Sequence, residues 1–283
     1  MRMKNILKEF LPPVVVSMLR RVKRQSVYLK YRHLLTQNEA LKDLHRGKRC
    51  FILGSAPSIK RENLSLLKDE IVLPLNNFYV HQDFLEIMSG NVPKYYVIAP
   101  IHPPQTEETW VKWFRDMETH TPQNVHMVLG LDGYPGNIKY LLDKYGLFKN
   151  HKINWYLSGL DISSEYEFKY KDIQLTRMLW AAATVSTYAL IIALYMGFDE
   201  IYLLGVDCNL ILLQGEDIRF YHSALHQQEE QKIIMKKSLM LKETAQVFFE
   251  KELIAGQYKN KIYNCSRESY LDMFEKKYLD RIL

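Results

Sequence analysis

The stretch Cys50-Phe51-Ile52-Leu53-Gly54-Ser55-Ala56-Pro57-Ser58 sets the reading of this chain. A short apolar run stops at Gly54, and Pro57 and Ser58 then open a polar, helix-like segment. Strand, tight turn and helix start, in that order, point free backbone N–H groups and the positive end of a helix at an anion. The expectation is a phosphate-bearing ligand near Gly54, Ser55, Ala56 and Ser58. On these residues alone a plain turn between strand and helix is the alternative.

The alternation recurs on both sides of this stretch. Strand-like runs lie at Cys50–Leu53, Ile71–Leu75, Tyr95–Ala99, His126–Leu129, Ile201–Val206 and Lys261–Tyr263. Pro74 weakens the second, since proline cannot donate to a ladder. Helices are expected at about 58–68, 105–119, 136–147, 177–196 and 228–253, with irregular chain around 100–104 and 155–172. Short strands separated by helices predict an α/β fold with a mostly parallel sheet and helices on both faces.

The run Met178–Met196 carries no charge and is long enough to span a bilayer. It contains Thr184, Ser186, Thr187 and Tyr188, however, and leads through Gly197 into Ile201–Val206. Helix, glycine stop and apolar strand make an αβ unit of a parallel sheet, so a buried helix is the expectation.

The 283 residues suit one large α/β domain or one domain with an appendage, and 47% hydrophobic content supports a sizeable core. Three cysteines at no metal-ligand spacing read as thiols in a reducing compartment. The net charge of +6 is uneven. Residues 1–32 hold nine cations against Glu9 alone, a net of +8, so the rest carries −2. That argues against a nucleic-acid surface on the body. Residues 1–46 are therefore read as a basic amphipathic segment and 47–283 as the catalytic or binding domain. The longest uncharged run of the arm, Phe10–Leu19, is too short to span a membrane, and Arg20–Arg24 stand where a signal-peptide cleavage site belongs. The favoured reading is an interfacial helix pair broken at Pro12-Pro13 on anionic headgroups. The other is a terminal helix packed on the body with a solvated basic face.

Open α/β sheets bind ligands at the carboxyl ends of their strands. Those ends supply Gly54–Ser58, then Asn76 and Asn77, then Pro100 and His102, then Asp207 and Asn209, with a loop on to Arg219-Phe220-Tyr221-His222. Paired asparagines suit base or sugar recognition because each offers donor and acceptor; turn chemistry explains them as well. Asp207 is open between binding ribose hydroxyls, accepting from backbone N–H groups and capping the next element. His222 and His226 share a helical spacing, but no acid completes a hydrolytic zinc site. Gly-Lys-Ser/Thr, Gly-x-Gly-x-x-Gly and Gly-x-Ser-x-Gly motifs are all missing, which lowers the kinase, dehydrogenase and serine-hydrolase readings.

Gly54-Ser55-Ala56-Pro57-Ser58-Ile59 resembles the Gly-Asn-Gly-Pro-Ser-Leu segment that opens bacterial sialyltransferases of glycosyltransferase family 42. Leu75-Asn76-Asn77-Phe78-Tyr79 is similar to that family's Cys-Asn-Gln-Phe-Tyr. The stretch from Thr184 and Tyr188 through Gly197-Phe198-Asp199-Glu200-Ile201-Tyr202-Leu203-Leu204-Gly205-Val206-Asp207 looks like its Thr-Ser-Gly-Val-Tyr helix and following Gly-Tyr-Lys-Glu-Ile-Tyr-Leu-Ser-Gly-Ile-Asp. Lys261–Ser266 with Leu271-Asp272 also resembles the flagellin-glycosylation and pterin-diphosphokinase-like group.

The resemblance implies a single Rossmann-like domain and an inverting transferase that uses a CMP-sugar donor with no metal or other cofactor. It implies that Ser55 and Asn76 contact CMP and that Thr184 or Ser186 lies near its phosphate or sugar. The family's His-Tyr-x-x-His is matched in spacing by His222-Ser223-Ala224-Leu225-His226. His226 is thereby the general base and His222 its rival. Asn209 falls where the family has a phosphate-binding tyrosine, and Tyr221 is the substitute. Ser55, Ala56, Ala99 and Val185 also depart from the pattern, which leaves the donor open among sialic acid, another nonulosonic acid and Kdo. The acceptor implied is a cell-surface glycan or lipid-linked oligosaccharide, in lipopolysaccharide or capsule synthesis. The protein would lie in the cytoplasm on the inner membrane of a bacterium, with a homo-oligomer also open. A diphosphotransferase, or a nucleotide-binding membrane-peripheral protein without turnover, are the alternatives.

Overall fold

The computed structural model describes residues 11–160, 173–209, 218–221, 236–258 and 261–283. Among them nine strands are arranged β9-β8-β7-β1-β2 and β3-β4-β5-β6, all neighbouring pairs parallel. They are β1 (Arg49–Leu53), β2 (Val72–Pro74), β3 (Tyr95–Ile98), β4 (His126–Leu131), β5 (Ile153–Leu160), β6 (Met178–Trp180), β7 (Glu200–Leu204), β8 (Ile262–Asn264) and β9 (Glu275–Lys276). A parallel bridge from Leu75 to Val97 joins the two sets edge to edge. The result is the expected Rossmann-like sheet. β1 is central: Phe51 stands opposite Val72 on one side and Tyr202 on the other.

Side chains alternate between two cores. Phe51, Leu53, Tyr202 and Leu204 point to the layer holding α1 (Pro13–Leu35), α3 (Glu107–His120) and α4 (Ile138–Tyr145). Cys50, Ile52, Ile201 and Leu203 point to the layer holding α5 (Val185–Tyr195) and α6 (Lys237–Tyr258). The short α2 (Phe84–Met88) packs in the first layer. Strands covered on both faces read as continuous apolar runs, which is why β1 and β7 stand out in the sequence.

α5 is apolar all round because it is enclosed all round: Ala189, Leu190, Ile191, Ile192 and Ala193 have no exposed surface. The uncharged run at Met178–Met196 is therefore core, and no described helix is long and apolar enough to cross a membrane. All three cysteines are unpaired.

Several expectations are corrected. The helix at 177–196 divides into β6 and α5, because a buried strand and a buried helix share the same uncharged composition. The helix at 58–68 is two 3₁₀ turns, Pro57–Arg61 and Leu64–Leu67, with extended backbone at Glu62 and Asn63 between them. The irregular stretch at 155–172 begins inside β5, and 161–172 lie outside the described residues. Of the helix at 228–253, the described part belongs to α6 and 228–235 lie outside.

α1 begins at Pro13, so the first half of the expected helix pair lies outside the described residues. Its two sides differ. Tyr31 and Leu35 are buried against the body with Val27 and Tyr28 beside them. Val14, Met18 and Val22 are 75%, 67% and 60% exposed. Met18 precedes Val27, and Val22 precedes Tyr31, by about two and a half helical turns, which puts the two apolar stripes on opposite sides.

Candidate functional site

The chain leaves β1 for β2 on one side, while β7 lies on the other. The point between β1 and β7 is thus where strand order reverses, and open α/β sheets form a ligand crevice there. A cleft of about 830 Å³ opens at this position, lined by the residues after β1, β2, β3 and β7 and by the start of α5. That volume lies within the range of small-molecule sites, roughly 300–1,000 Å³.

Of the residues named from sequence, Gly54, Ser55, Ala56, Asn76, Thr184, Ser186, Asp207 and Asn209 line this cleft. Asn76 holds a left-handed backbone, φ 47°, a conformation asparagine tolerates. Its Oδ1 accepts from the Ala99 N–H at 3.0 Å, so its amide NH₂ is the part left for a ligand. Asn209 donates to the Glu268 carbonyl at 3.5 Å.

The glycine turn differs from expectation. Gly54 and Ala56 donate their N–H groups to Leu204 and Gly205 carbonyls. Asp207 accepts from the Ser58 N–H at 3.2 Å and the Ser58 hydroxyl at 2.5 Å. The protein's own carboxylate thus fills the place where an anion was expected, and the segment from Pro57 is a 3₁₀ turn in place of an α-helix. Asp207 caps that turn. It is buried, and burial pushes its carboxyl up, opposed by the bonds from Ser58. Ser58 is buried under it, off the cleft wall.

Asn77 is also off the wall: its Oδ1 accepts from the Trp113 indole N–H. Tyr221 is not brought to the wall either. Its ring packs edge-on against Phe220, which sits on Phe78 and His81. His222 and His226 lie outside the described residues.

The cleft's lining is mixed. Trp110, Trp113, Pro100 and Ile101 give it apolar, aromatic surface. Its polar surface includes Thr184 and Ser186 at the start of α5, the carboxylates of Asp207 and Glu243, and Arg219, whose guanidinium donates to the Ser55 hydroxyl at 2.8 Å. Phe220 N–H donates to the Ser55 carbonyl at 2.9 Å, which seats the 218–221 segment on the turn. Trp110, Trp113 and Arg219 had no role assigned from sequence. The tryptophans stand three apart on an amphipathic helix, where a core reading is the ordinary one. Behind Thr184, Glu250 accepts from the Ala183 N–H at 2.9 and 3.1 Å and from Thr187 at 3.1 Å. Burial pushes its carboxyl up. Among the described residues, no group of three or more His, Cys, Asp or Glu is placed to hold a metal ion.

No protein-family model matches the chain, and no curated protein does. Among solved structures, the sialyltransferase CstII from Campylobacter jejuni in complex with a substrate analogue, cytidine-5'-monophosphate, is similar at a TM-score of 0.44. The two share 19% sequence identity over 82% of this chain and 85% of that one.

Proposed function

We propose that this chain is an inverting glycosyltransferase that takes a sialic acid, or a similar nonulosonic acid, from a CMP-sugar to a glycan acceptor. The observation that carries the reading is the cleft at the β1/β7 reversal, whose lining offers aromatic surface suited to a base together with hydroxyls and a guanidinium suited to a phosphate. The ordered motifs shared with family 42 support it. In the reaction the acceptor oxygen bonds to the anomeric carbon as the bond from that carbon to the CMP phosphate oxygen breaks. CMP leaves with the electron pair, and the acceptor proton passes to an imidazole, His226 by the motif. Positioning and stabilisation of the leaving phosphate supply most of the acceleration.

Incubation with CMP-sialic acid should release CMP slowly without acceptor and faster with a glycan acceptor, and CMP should raise the melting temperature more than UMP, GMP or AMP. Consumption of ATP with no CMP release would transfer the reading to a diphosphotransferase. A protein that does neither would be a binding scaffold.

The same proposal places α1 on an anionic membrane surface, where a lipid-linked acceptor would lie. The outward stripe of Val14, Met18 and Val22, with Arg20, Arg21, Lys23 and Arg24 around it, supports this. In the full chain, Met18→Glu with Val22→Glu should cut partition onto phosphatidylglycerol vesicles at least tenfold while leaving the melting temperature within about 2 °C. Equal partition of variant and parent would remove the membrane role.

A further inference from the structure

Lys251 lies on α6 with no exposed surface, behind Thr184 and Ser186 of the cleft wall. We propose that it is a positioning residue: acting through Thr184 and Ser186, it makes that wall a donor surface for the phosphate of the bound ligand. This deepens the reading of the cleft given above and rests on it.

The argument is one of hydrogen-bond supply. The Lys251 ammonium stands 3.1 Å from Ser186 Oγ, 3.3 Å from Thr187 Oγ1 and 3.4 Å from Thr184 Oγ1. An ammonium has three donors and no acceptor, so all three hydroxyl oxygens must accept from it. Their protons then have to go elsewhere. Thr187 sends its proton to Glu250 at 3.1 Å. Thr184 Oγ1 lies 2.9 Å from Ser186 Oγ and 3.3 Å from Thr187 Oγ1. With Thr184 donating to Ser186, the Ser186 proton is left over on a residue that lines the cleft, and this is the arrangement an anion would select.

The backbone adds to this. Thr187 N–H bonds back to the Thr184 carbonyl at 3.2 Å, while the Val185 and Ser186 amides, in the first turn of α5, meet no acceptor among the described residues. Donors without acceptors, backed by a cation in a low-dielectric interior, suit an anion.

Glu250 does not cancel the effect. Its carboxylate is engaged by the Ala183 N–H, Gln246 and Thr187, and no hydrogen bond joins it to Lys251 among the described residues. A buried pair of charges of this kind contributes little to stability compared with apolar residues of similar volume, so a purely structural role explains its presence poorly.

The test is calorimetric binding of inorganic pyrophosphate, CMP, UMP, AMP and cytidine to the full chain and to Lys251→Met, Lys251→Arg and the pair Glu250→Gln with Lys251→Met. The double variant is included because removing the lysine alone leaves Glu250 buried without its neighbour's charge. The parent should bind pyrophosphate, and CMP at least tenfold more tightly than cytidine. Lys251→Met, or the double variant if the single one does not melt cooperatively, should bring the CMP-to-cytidine ratio within about twofold of unity with cytidine affinity unchanged. Lys251→Arg should restore at least half the preference on a logarithmic scale. Equal weakening of CMP and cytidine, an unchanged ratio, or a parent that binds no phosphate would overturn the proposal. Lysine-dependent pyrophosphate binding without preference for CMP over UMP or AMP would keep Lys251 in its role and remove the CMP reading alone.

Discussion

Gly54→Ala is expected to lower stability by about 3 kcal/mol or more, a drop in melting temperature of roughly 6–12 °C for a domain of this size. A Cβ built on Gly54 would stand 2.3 Å from the Gly205 carbonyl oxygen and 2.9 Å from its carbon. Those are backbone atoms, and they have little room to give. Gly54 N–H donates to the Leu204 carbonyl at 2.8 Å and Ala56 N–H to the Gly205 carbonyl at 2.9 Å, so the turns after β1 and β7 are fastened to each other. Gly205 itself holds φ +62°, a conformation other residues adopt at a cost. Separating the turns to admit a methyl group would disturb both walls of the cleft at the sheet's reversal point, so ligand-induced stabilisation should fall as well. Gly256→Ala is the control of opposite sign. It lies exposed in α6 with nothing within 4 Å of its would-be Cβ, and the change should stabilise by about 0.5–1 kcal/mol. A melting temperature within a degree of the parent for Gly54→Ala would mean that the two turns do not approach as described.

That close approach also marks what a sequence can and cannot disclose here. The strand–turn stretch at Cys50–Ser58 was legible because β1 is buried on both faces, and the same holds for β7. β5 was not, although it pairs on both sides. Its apolar pattern is interrupted by Asn154 and Ser158, buried polar residues whose partners are far away in sequence. Asn154 bonds His126 at 2.5 Å and Asn38 at 2.7 Å, and Ser158 bonds the Tyr188 hydroxyl at 2.6 Å. Until the fold supplies those partners, a strand with such residues reads as irregular chain. The Gly54 turn is a similar case. The turn has the right local chemistry, but its Gly54 and Ala56 N–H groups go to the Leu204 and Gly205 carbonyls, and the Ser58 N–H and hydroxyl go to Asp207, 149 residues further on. Glu250-Lys251, within a charged stretch of helix, has the composition of a solvated face. Only the fold brings that stretch behind Thr184 and Ser186.

Substitution of the proposed general base should have the largest effect on turnover. His226→Ala is expected to lower kcat/KM by about 10²–10⁴, the usual contribution of a positioned proton acceptor, with the melting temperature little changed. His222→Ala should stay within about tenfold of the parent. Among the described residues the cleft holds an imidazole of its own, which makes the comparison informative. His102 lines the wall, and its Nδ1 is 2.7 Å from the Pro103 carbonyl oxygen. A proton on Nδ1 satisfies that carbonyl and leaves Nε2 with its lone pair, the form a base requires. His102→Ala therefore belongs beside the other two variants. A base must be neutral to act, so kcat/KM should rise with pH and be lost as the imidazole is protonated. The variant lacking the base should lose that acid limb along with its rate, while the other two should keep it. If the limb and the rate vanish in His102→Ala and survive in His226→Ala, the proton goes to the loop after β3, and the spacing of His222 and His226 has no catalytic meaning in this chain.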